Sequence, residues 1–269
     1  MKKYLFIVAL LATLQTYAQE LFVYTEPASN MPAKTIGLRV SQNFFKDQYT
    51  GATNYHLLPE VMFGINKNLM LHAEGFISSR GKSLSYEGFA VYGKYRLYSK
   101  DDVHTHFRLA AFGRVSANNS DIHQEEIDIN AHNSGYQFGA IATQLLHKVA
   151  LSSSVSLVHA MDNGSVNKYP SNTQSNQAIN YTFSFGKLLL PKEYINYNQT
   201  NLNVMVELLG QKLVGNSKSY LDIAPSLQLI IHSQTRIDIG YRQQIYSDEF
   251  RTAPNGFMIR IEHLLFNAL

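Results

Sequence analysis

The chain has no cysteine, and this absence removes several kinds of chemistry at once. None of its 269 residues is Cys, so disulfides, a thiolate nucleophile and cysteine ligands for metals are all excluded. The formal net charge is only +3, and Lys2 and Lys3 contribute two of these charges. The rest of the chain is therefore close to neutral and has no basic patch, which argues against a nucleic-acid partner.

Long apolar runs are also missing beyond the first segment. Residues 4–14 are apolar, but this run follows two lysines and is too short to cross a bilayer as a helix. It ends before the small-residue site Thr16-Tyr17-Ala18. The order predicts a cleaved signal peptide over residues 1–18 and a mature chain that begins at Gln19. No later stretch approaches the length of an ordinary transmembrane helix.

What the chain does contain is a repeated alternation of apolar and polar residues. In Thr235–Ile245, Ile237 and Ile239 fall on one face, whereas Asp238 and Arg242 fall on the other. A period of two predicts a strand, and this segment is as long as the roughly 9–11 residues that cross a bilayer at a tilt. The charged face cannot meet lipid. A closed barrel with lipid outside and water inside satisfies both faces.

The alternation recurs in about twelve segments, and their connections vary regularly in length. Connections after segments two, four, six and ten are short, those after odd-numbered segments are longer, and residues 190–199 after segment eight are the exception. Such a rhythm is expected when one rim faces the periplasm and the other the exterior. We therefore predict an all-β, transmembrane, antiparallel up-and-down β-barrel at 34–269, after an irregular periplasmic leader at 19–33. Ten or fourteen strands remain open, because the phase at 135–146 is unclear.

In this architecture the chain resembles bacterial outer-membrane β-barrels. The resemblance covers essentially the whole mature chain and depends on the strand pattern and the loop rhythm, not on a functional motif. It implies a location in the outer membrane of a Gram-negative bacterium, contact with lipid, and insertion by the barrel-insertion machinery. The alternative is a soluble sandwich or lipocalin-like barrel with the apolar face inward, which periodicity alone does not separate from a membrane barrel.

If the apolar face meets lipid, the charged residues of the strands collect in the lumen. They are expected to pair, because an isolated buried charge costs several kcal/mol. The pairing could close the interior, or it could line a hydrated pore whose slight cationic excess favours anionic or zwitterionic solutes. Strand position places Arg39, Glu60, Arg242 and Arg260 near mid-depth, as a constriction. The predicted lumen residues are Arg39, Glu60, Glu74, Lys94, Arg108, Glu207, Asp238, Arg242, Arg260 and Glu262.

The connection after the fifth segment carries weak signals for other chemistry. His123, Glu125 and His132 could contact a divalent cation, but an acidic solvated loop is the commoner explanation, so no metal or cofactor is predicted. His132-Asn133-Ser134 matches the first part of the His-x-Ser pair of outer-membrane phospholipases. Leu146, however, occupies the position of the orienting polar residue, so no enzyme activity is predicted.

The function that these features favour is a passive channel or transporter for small polar solutes. The alternative is a closed barrel that is structural or acts through its outer connections. The long polar connections at 118–133 and 163–177 could bind a partner, or they could fold inward over the pore. The sequence does not indicate an oligomeric state.

Overall fold

Twelve antiparallel strands form one closed barrel within the described part of the chain. Each strand pairs with its neighbours in sequence, and β1 closes the ring against β12. The computed structural model describes residues 22–80, 83–102, 105–170, 172–193 and 198–269. The predicted signal peptide at 1–18 lies outside these residues. The all-β, up-and-down architecture and the favoured count of twelve strands are confirmed for the described residues.

The strands have 10 to 17 residues, which is long enough to cross a bilayer at a tilt. No helix of the described residues is both long and apolar enough to span a membrane. The strands are β1 (Thr35–Lys46), β2 (Thr53–Gly64), β3 (Leu69–Ser78), β4 (Ser85–Asp101), β5 (Thr105–Asn118), β6 (Ser134–Leu146), β7 (Val149–Met161), β8 (Gln177–Leu190), β9 (Asn201–Leu213), β10 (Ser219–Ile231), β11 (Thr235–Ser247) and β12 (Asn255–Leu265).

Side-chain exposure alternates along the strands and confirms which face points outward. In β1, Leu38 is 48% exposed, whereas the next residue, Arg39, is 4% exposed. The strand with the unclear phase, β6, now has a definite orientation: Phe138 points outward and Ile141 is buried inside. Ile141 packs there against Ala28 of the leader. The alternation in β6 does not identify the inward face, because part of the lumen is apolar. Ile141 points inward because the leader lies inside the barrel and packs against it.

The two rims of the barrel differ in the length of their connections, as predicted. One rim carries 65–68, 147–148 and 232–234, and the opposite rim carries the long connections 119–133 and 162–176. Short connections mark the periplasmic rim of bacterial outer-membrane barrels. The leader enters β1 and the chain leaves β12 at this same rim. We call the rim with the long connections the outer rim.

The leader itself lies elsewhere than the sequence predicted. Residues 22–33 are irregular, as expected, but they pass inside the barrel instead of lying free in the periplasm. Phe22 and Val23 are buried against Met205 and Met258, which project from the wall. The placement follows from the side chains of the wall. Inward methionines and buried charges in the strands need contacts that the strands alone do not supply.

The outer face generates a first prediction. Val155, in the middle of β7, is 54% exposed, and Val155→Arg is expected to lower the free energy of unfolding by roughly 2–4 kcal/mol, because it places a charge against hydrocarbon. Denaturant titration in lipid vesicles measures this loss. Ser154→Arg is the matched control, because Ser154 lines the interior cavity. Equal losses for the two variants would contradict the assignment of the outer face to lipid.

Candidate functional site

The leader, residues 22–33, crosses the lumen and is held there by the carboxylate of Glu207. The backbone N–H groups of Val23, Tyr24 and Thr25 donate to its two oxygens at 2.8–2.9 Å. The Thr25 hydroxyl adds a fourth hydrogen bond at 2.7 Å. Successive backbone N–H groups that converge in this way form an anion-binding concavity. The leader therefore binds the barrel wall through its own backbone.

The strand register explains why Glu207 takes a partner from outside the sheet. Its neighbours across the register are Ser184 on β8 and Ala224 on β10, and neither carries a charge. A buried carboxylate without hydrogen bonds is strongly unfavourable. The alternation places Glu207 in the lumen but does not identify its partner. An inward carboxylate between two uncharged neighbours indicates that another segment enters the lumen. This is the feature from which the position of the leader could have been predicted.

Predicted lumen cations also bind the leader, among them Lys94 and Arg108. Lys94 donates to the carbonyl oxygen of Pro27 at 2.7 Å and lies 3.3 Å from the carboxylate of Glu26. Arg108 donates to the hydroxyl of Ser29 at 2.9 Å. Lys94 is fully buried and Arg108 nearly so. Both side chains therefore connect the barrel wall to the leader.

Other predicted lumen residues form a ladder of ion pairs along the wall where the barrel closes. Arg39 on β1 donates to Glu262 on β12 at 2.7 Å and to Glu60 on β2 at 3.1 Å. Arg236 on β11 also binds Glu262, at 2.7 Å. Opposite charges directly across neighbouring strands stabilise a sheet. The charges of β11, β12, β1 and β2 are therefore linked around the seam.

Glu74 on β3 lies directly opposite Glu60 in the register, which places two carboxylates side by side. Each is neutralised by a different arginine. Glu60 accepts from Arg39, and Glu74 accepts from Arg114 of β5 at 2.6 Å. The lumen thus contains paired charges at this level, as the desolvation of an unpaired charge requires.

The four residues predicted as a constriction do not form one group. Arg39 and Glu60 are paired, and Arg260 donates to Ser41 on the neighbouring strand at 3.1 Å. Arg242 lies in a separate network towards the outer rim, where it binds Asp222. Their role as a constriction remains a prediction.

The outer connection at 119–133, which we call the inward loop, folds into the mouth of the barrel. This is one of the two arrangements that its length and polarity allowed. Gln211 of β9 holds its backbone, because the side-chain amide both accepts from the N–H of Ile127 and donates to its carbonyl, each at 2.9 Å. Ile127 and Ile129 are buried against the wall. The loop is therefore anchored by hydrogen bonds and by apolar contacts.

A buried ion network, which we call the latch, also fixes the loop to β10, to β11 and to the connection after β11. It consists of Glu126 on the loop, Asp222, Arg242 and Arg251. Arg251 is 1% exposed, and it donates to Glu126 at 2.8 and 3.2 Å and to Asp222 twice at 2.8 Å. Arg242 donates to the same two carboxylates, at 3.1 and 2.6 Å. Two carboxylates are thus shared by two arginines.

The charge of Glu126 is maintained by these arginines. Burial alone would raise the pKa of its carboxyl, but Arg251 and Arg242 outweigh this effect and lower the pKa to about 2. Arg251 also stacks on the ring of Tyr220 at 3.8 Å. Sequence reasoning did not identify Arg251, because it lies in a short connection after β11, where no periodicity distinguishes a buried arginine from a solvated one.

Between the leader and the inward loop lies a cavity of about 300 Å³. Its walls are strands, and both segments contribute to its lining. The lining combines apolar side chains with polar and charged ones, which include Tyr24, Arg39, Arg114, Asp128, Arg242 and Arg260. This cavity is the candidate functional site.

The weak metal candidates take other contacts. Glu125 accepts two hydrogen bonds from Lys218 at 2.7 Å, while the rings of His123 and His132 are 6.1 Å apart. Among the described residues, no three His, Asp or Glu side chains converge as a metal site would require. Ser134, from the His-x-Ser sequence, bonds to the backbone of residue 118.

Comparison with known proteins places the fold among bacterial outer-membrane barrels. An outer membrane channel from Pseudomonas putida F1 is similar over 91% of this chain and 100% of the channel, with 9% identity and a TM-score of 0.57. Outer membrane phospholipase A from Escherichia coli matches 89% of this chain and 92% of its own, with 12% identity and a TM-score of 0.44. OprD from Pseudomonas aeruginosa matches 92% and 98%, with 9% identity and a TM-score of 0.41.

The first of these similarities shows the fold and nothing further, because the sequences share so little. No protein-family model matches the chain, and no curated protein matches it. The resemblance is therefore architectural, as the strand pattern indicated.

The latch generates a prediction for Glu126→Gln. Removal of one charge from a buried network costs on the order of 3 kcal/mol, or roughly a hundredfold in an opening equilibrium. Amide hydrogen exchange of residues 119–133 in the folded barrel should accelerate accordingly. Glu125→Gln, on the same loop, is the control: its partner Lys218 is 39% exposed, so the change should stay below about 1 kcal/mol. Unchanged exchange in Glu126→Gln would show that the latch does not hold the loop.

A second prediction concerns pH. Both carboxylate oxygens of Glu249, next to the latch, are buried without a hydrogen-bond partner among the described residues. Burial, reinforced by the charge of Glu126, raises the pKa of Glu249 from 4.5 to about 8. The folded connection therefore favours the protonated acid. This stabilisation is complete below the unfolded value of 4.5, and it is lost as the pH rises through about 8.

Thermal unfolding between about pH 6 and pH 9 should therefore show a falling melting temperature for the native chain and a flatter profile for Glu249→Gln. Asp47→Asn is the control. Hydrogen bonds from the backbone of Thr50 lower the pKa of Asp47, so its substitution should act only in acid. Parallel profiles for the native chain and Glu249→Gln would refute the assignment.

Proposed function

We propose that this protein is an outer-membrane channel that passes small polar solutes through its charged lumen. The observation that carries the proposal is the cavity of about 300 Å³ in the middle of the barrel. Inward side chains just fill a barrel of about eight strands, so this barrel of twelve strands has additional interior space. Here the interior is bounded by two irregular segments, and each is attached to the wall through polar contacts.

The location follows from the exterior of the barrel. Large apolar residues such as Leu38, Phe138 and Val155 are exposed on the outward face of their strands. A contiguous apolar exterior is unfavourable in water and suits hydrocarbon. This surface supports the proposed location in the outer membrane, in contact with lipid.

The leader and the inward loop lie across the route, so conduction requires at least one of them to move. The inward loop is the better candidate. It is a surface connection held by the latch, by hydrogen bonds from Gln211 and Lys218 and by a small apolar cluster, and such segments open at lower free energy than a sheet does. The leader is held more deeply, at Glu207.

The proposal assigns no catalytic role to His132 and Ser134. The Ser134 hydroxyl accepts from the backbone N–H of Asn118 at 2.8 Å and donates to its carbonyl oxygen at 3.1 Å. The ring of His132 instead faces Gln124 and Asp128. A nucleophilic serine would need its hydroxyl within reach of the base. This arrangement supports a channel over a barrel hydrolase.

Planar-bilayer recording tests the proposal. The native chain should give stepwise conductance of low open probability, and Glu126→Gln should raise the time-averaged conductance several-fold, whereas Glu125→Gln should not. Arg260→Ala should shift the ion selectivity towards cations, because it removes a lumen cation. If neither the native chain nor a variant with a shortened 119–133 connection conducts, the barrel is closed and the proposal fails.

A further inference from the structure

The charges that line the cavity have an oppositely charged partner at hydrogen-bond distance, with two exceptions among the described residues. Four of its five arginines have a carboxylate oxygen within 3.1 Å, in the pairs Arg39–Glu60, Arg80–Glu87, Arg114–Glu74 and Arg242–Asp222. The fifth, Arg260, donates through Nε to Ser41, and its nearest carboxylate among the described residues is Asp238 at 3.9 Å. This distance is too long for a hydrogen bond.

A second polar group lies near Arg260 without a partner. The hydroxyl of Tyr24 on the leader is buried and has no hydrogen bond among the described residues, and it lines the same cavity. The ring and hydroxyl of Tyr24 lie over Gly240 of β11, the strand next to that of Arg260. A buried hydroxyl without a partner is unfavourable, so the site favours a ligand that accepts from it. A guanidinium and a hydroxyl together are donors suited to a carboxylate.

The other exception is on the inward loop, where the carboxyl of Asp128 lines the cavity. It accepts from the N–H of Asn130 at 2.8 Å, and the nearest basic group is His132 at 3.8 Å. Burial, followed by the charge of Arg80, holds the pKa of His132 well below its usual value, so this imidazole is neutral. Burial and the charge of Glu126 raise the pKa of Asp128. A cation bound here would stabilise its ionised form.

We propose that the cavity is a binding site for small zwitterions that carry a carboxylate and an ammonium group, such as free amino acids and dipeptides. The carboxylate binds Arg260 and the Tyr24 hydroxyl, and the ammonium binds Asp128. The volume of about 300 Å³ is at the small end of ligand pockets, which limits the solute to this size. The inference rests on the proposed channel, because it names the solute class that the channel passes.

The arrangement also connects binding with opening. Asp128 belongs to the inward loop, two residues from Glu126 of the latch, whereas Arg260 belongs to the wall. A zwitterion therefore bridges the moving segment and the fixed one. A simple anion contacts only the wall and the leader, so it lacks the contact to the loop.

Calorimetric titration of the full barrel in detergent tests the inference with dialanine as the probe. Acetyl-dialanine, which lacks the ammonium, and dialanine amide, which lacks the carboxylate, are the matched ligands. Dialanine should bind roughly tenfold more tightly than either, the loss expected for one charge-assisted contact. Arg260→Gln should weaken dialanine about tenfold yet leave the amide unchanged, and Asp128→Asn should weaken dialanine and leave acetyl-dialanine unchanged.

Lys46→Gln, which removes a cation from the outer rim and does not line the cavity, should bind as the native chain does. Equal affinity for the three ligands, or no heat with dialanine, overturns the inference, and this holds even if a variant fails to fold. Preference for acetyl-dialanine would identify an anion site instead and would also overturn it. Because binding is measured without conduction, heat in a barrel that does not conduct would refute the channel and leave the zwitterion site intact.

Discussion

The interior of this barrel is governed by the need of each inward charge for a partner inside the lumen. The outer face is largely apolar, so most charged side chains of the strands point inward, and there the free-energy cost of an unpaired charge is large. Where the register places opposite charges on neighbouring strands, as for Arg39 with Glu60 and Glu262, the sheet satisfies the need itself. Elsewhere it does not, and other segments of the chain enter the lumen.

The leader and the inward loop are held in the lumen by different kinds of contact. The leader binds Glu207 through consecutive backbone groups, so its attachment depends on main-chain geometry and not on particular side chains. The inward loop is held by the latch, in which one carboxylate, Glu126, joins the loop to two arginines. Because only Glu126 of the latch belongs to the loop, the latch can open when the contacts of this one residue break. This difference is why the loop, and not the leader, is the proposed gate.

The cavity is what remains between these two segments. Within the part of the chain that the structure describes, its charges have an oppositely charged partner at hydrogen-bond distance, except for Arg260 on the wall and Asp128 on the loop. Two opposite charges that lack such a partner, around one small volume, suit the zwitterion that we propose. The same balance disfavours apolar solutes, which would leave the lining arginines and carboxylates without water.

The sequence predicts which residues of the site point into the lumen. It does not predict which of these residues contact one another. The alternation identified Arg39, Glu60 and Arg260 as inward, because facing is set by a period of two. It placed Arg242 with them at mid-depth, whereas Arg242 binds Glu126 from the inward loop. It also left the leader outside, since an irregular segment has no period from which a position could be read.

The sequence by itself determined the strands, their faces, the alternation of rims and the class of barrel, because all of these follow from contacts between residues near in the chain or in neighbouring strands. Only the tertiary structure decided which charge meets which. Tyr24 and Glu207 are 183 residues apart, and Glu126 and Arg251 are 125 apart. Such pairings arise when closure of the ring brings distant segments into one confined volume, and no local pattern records them.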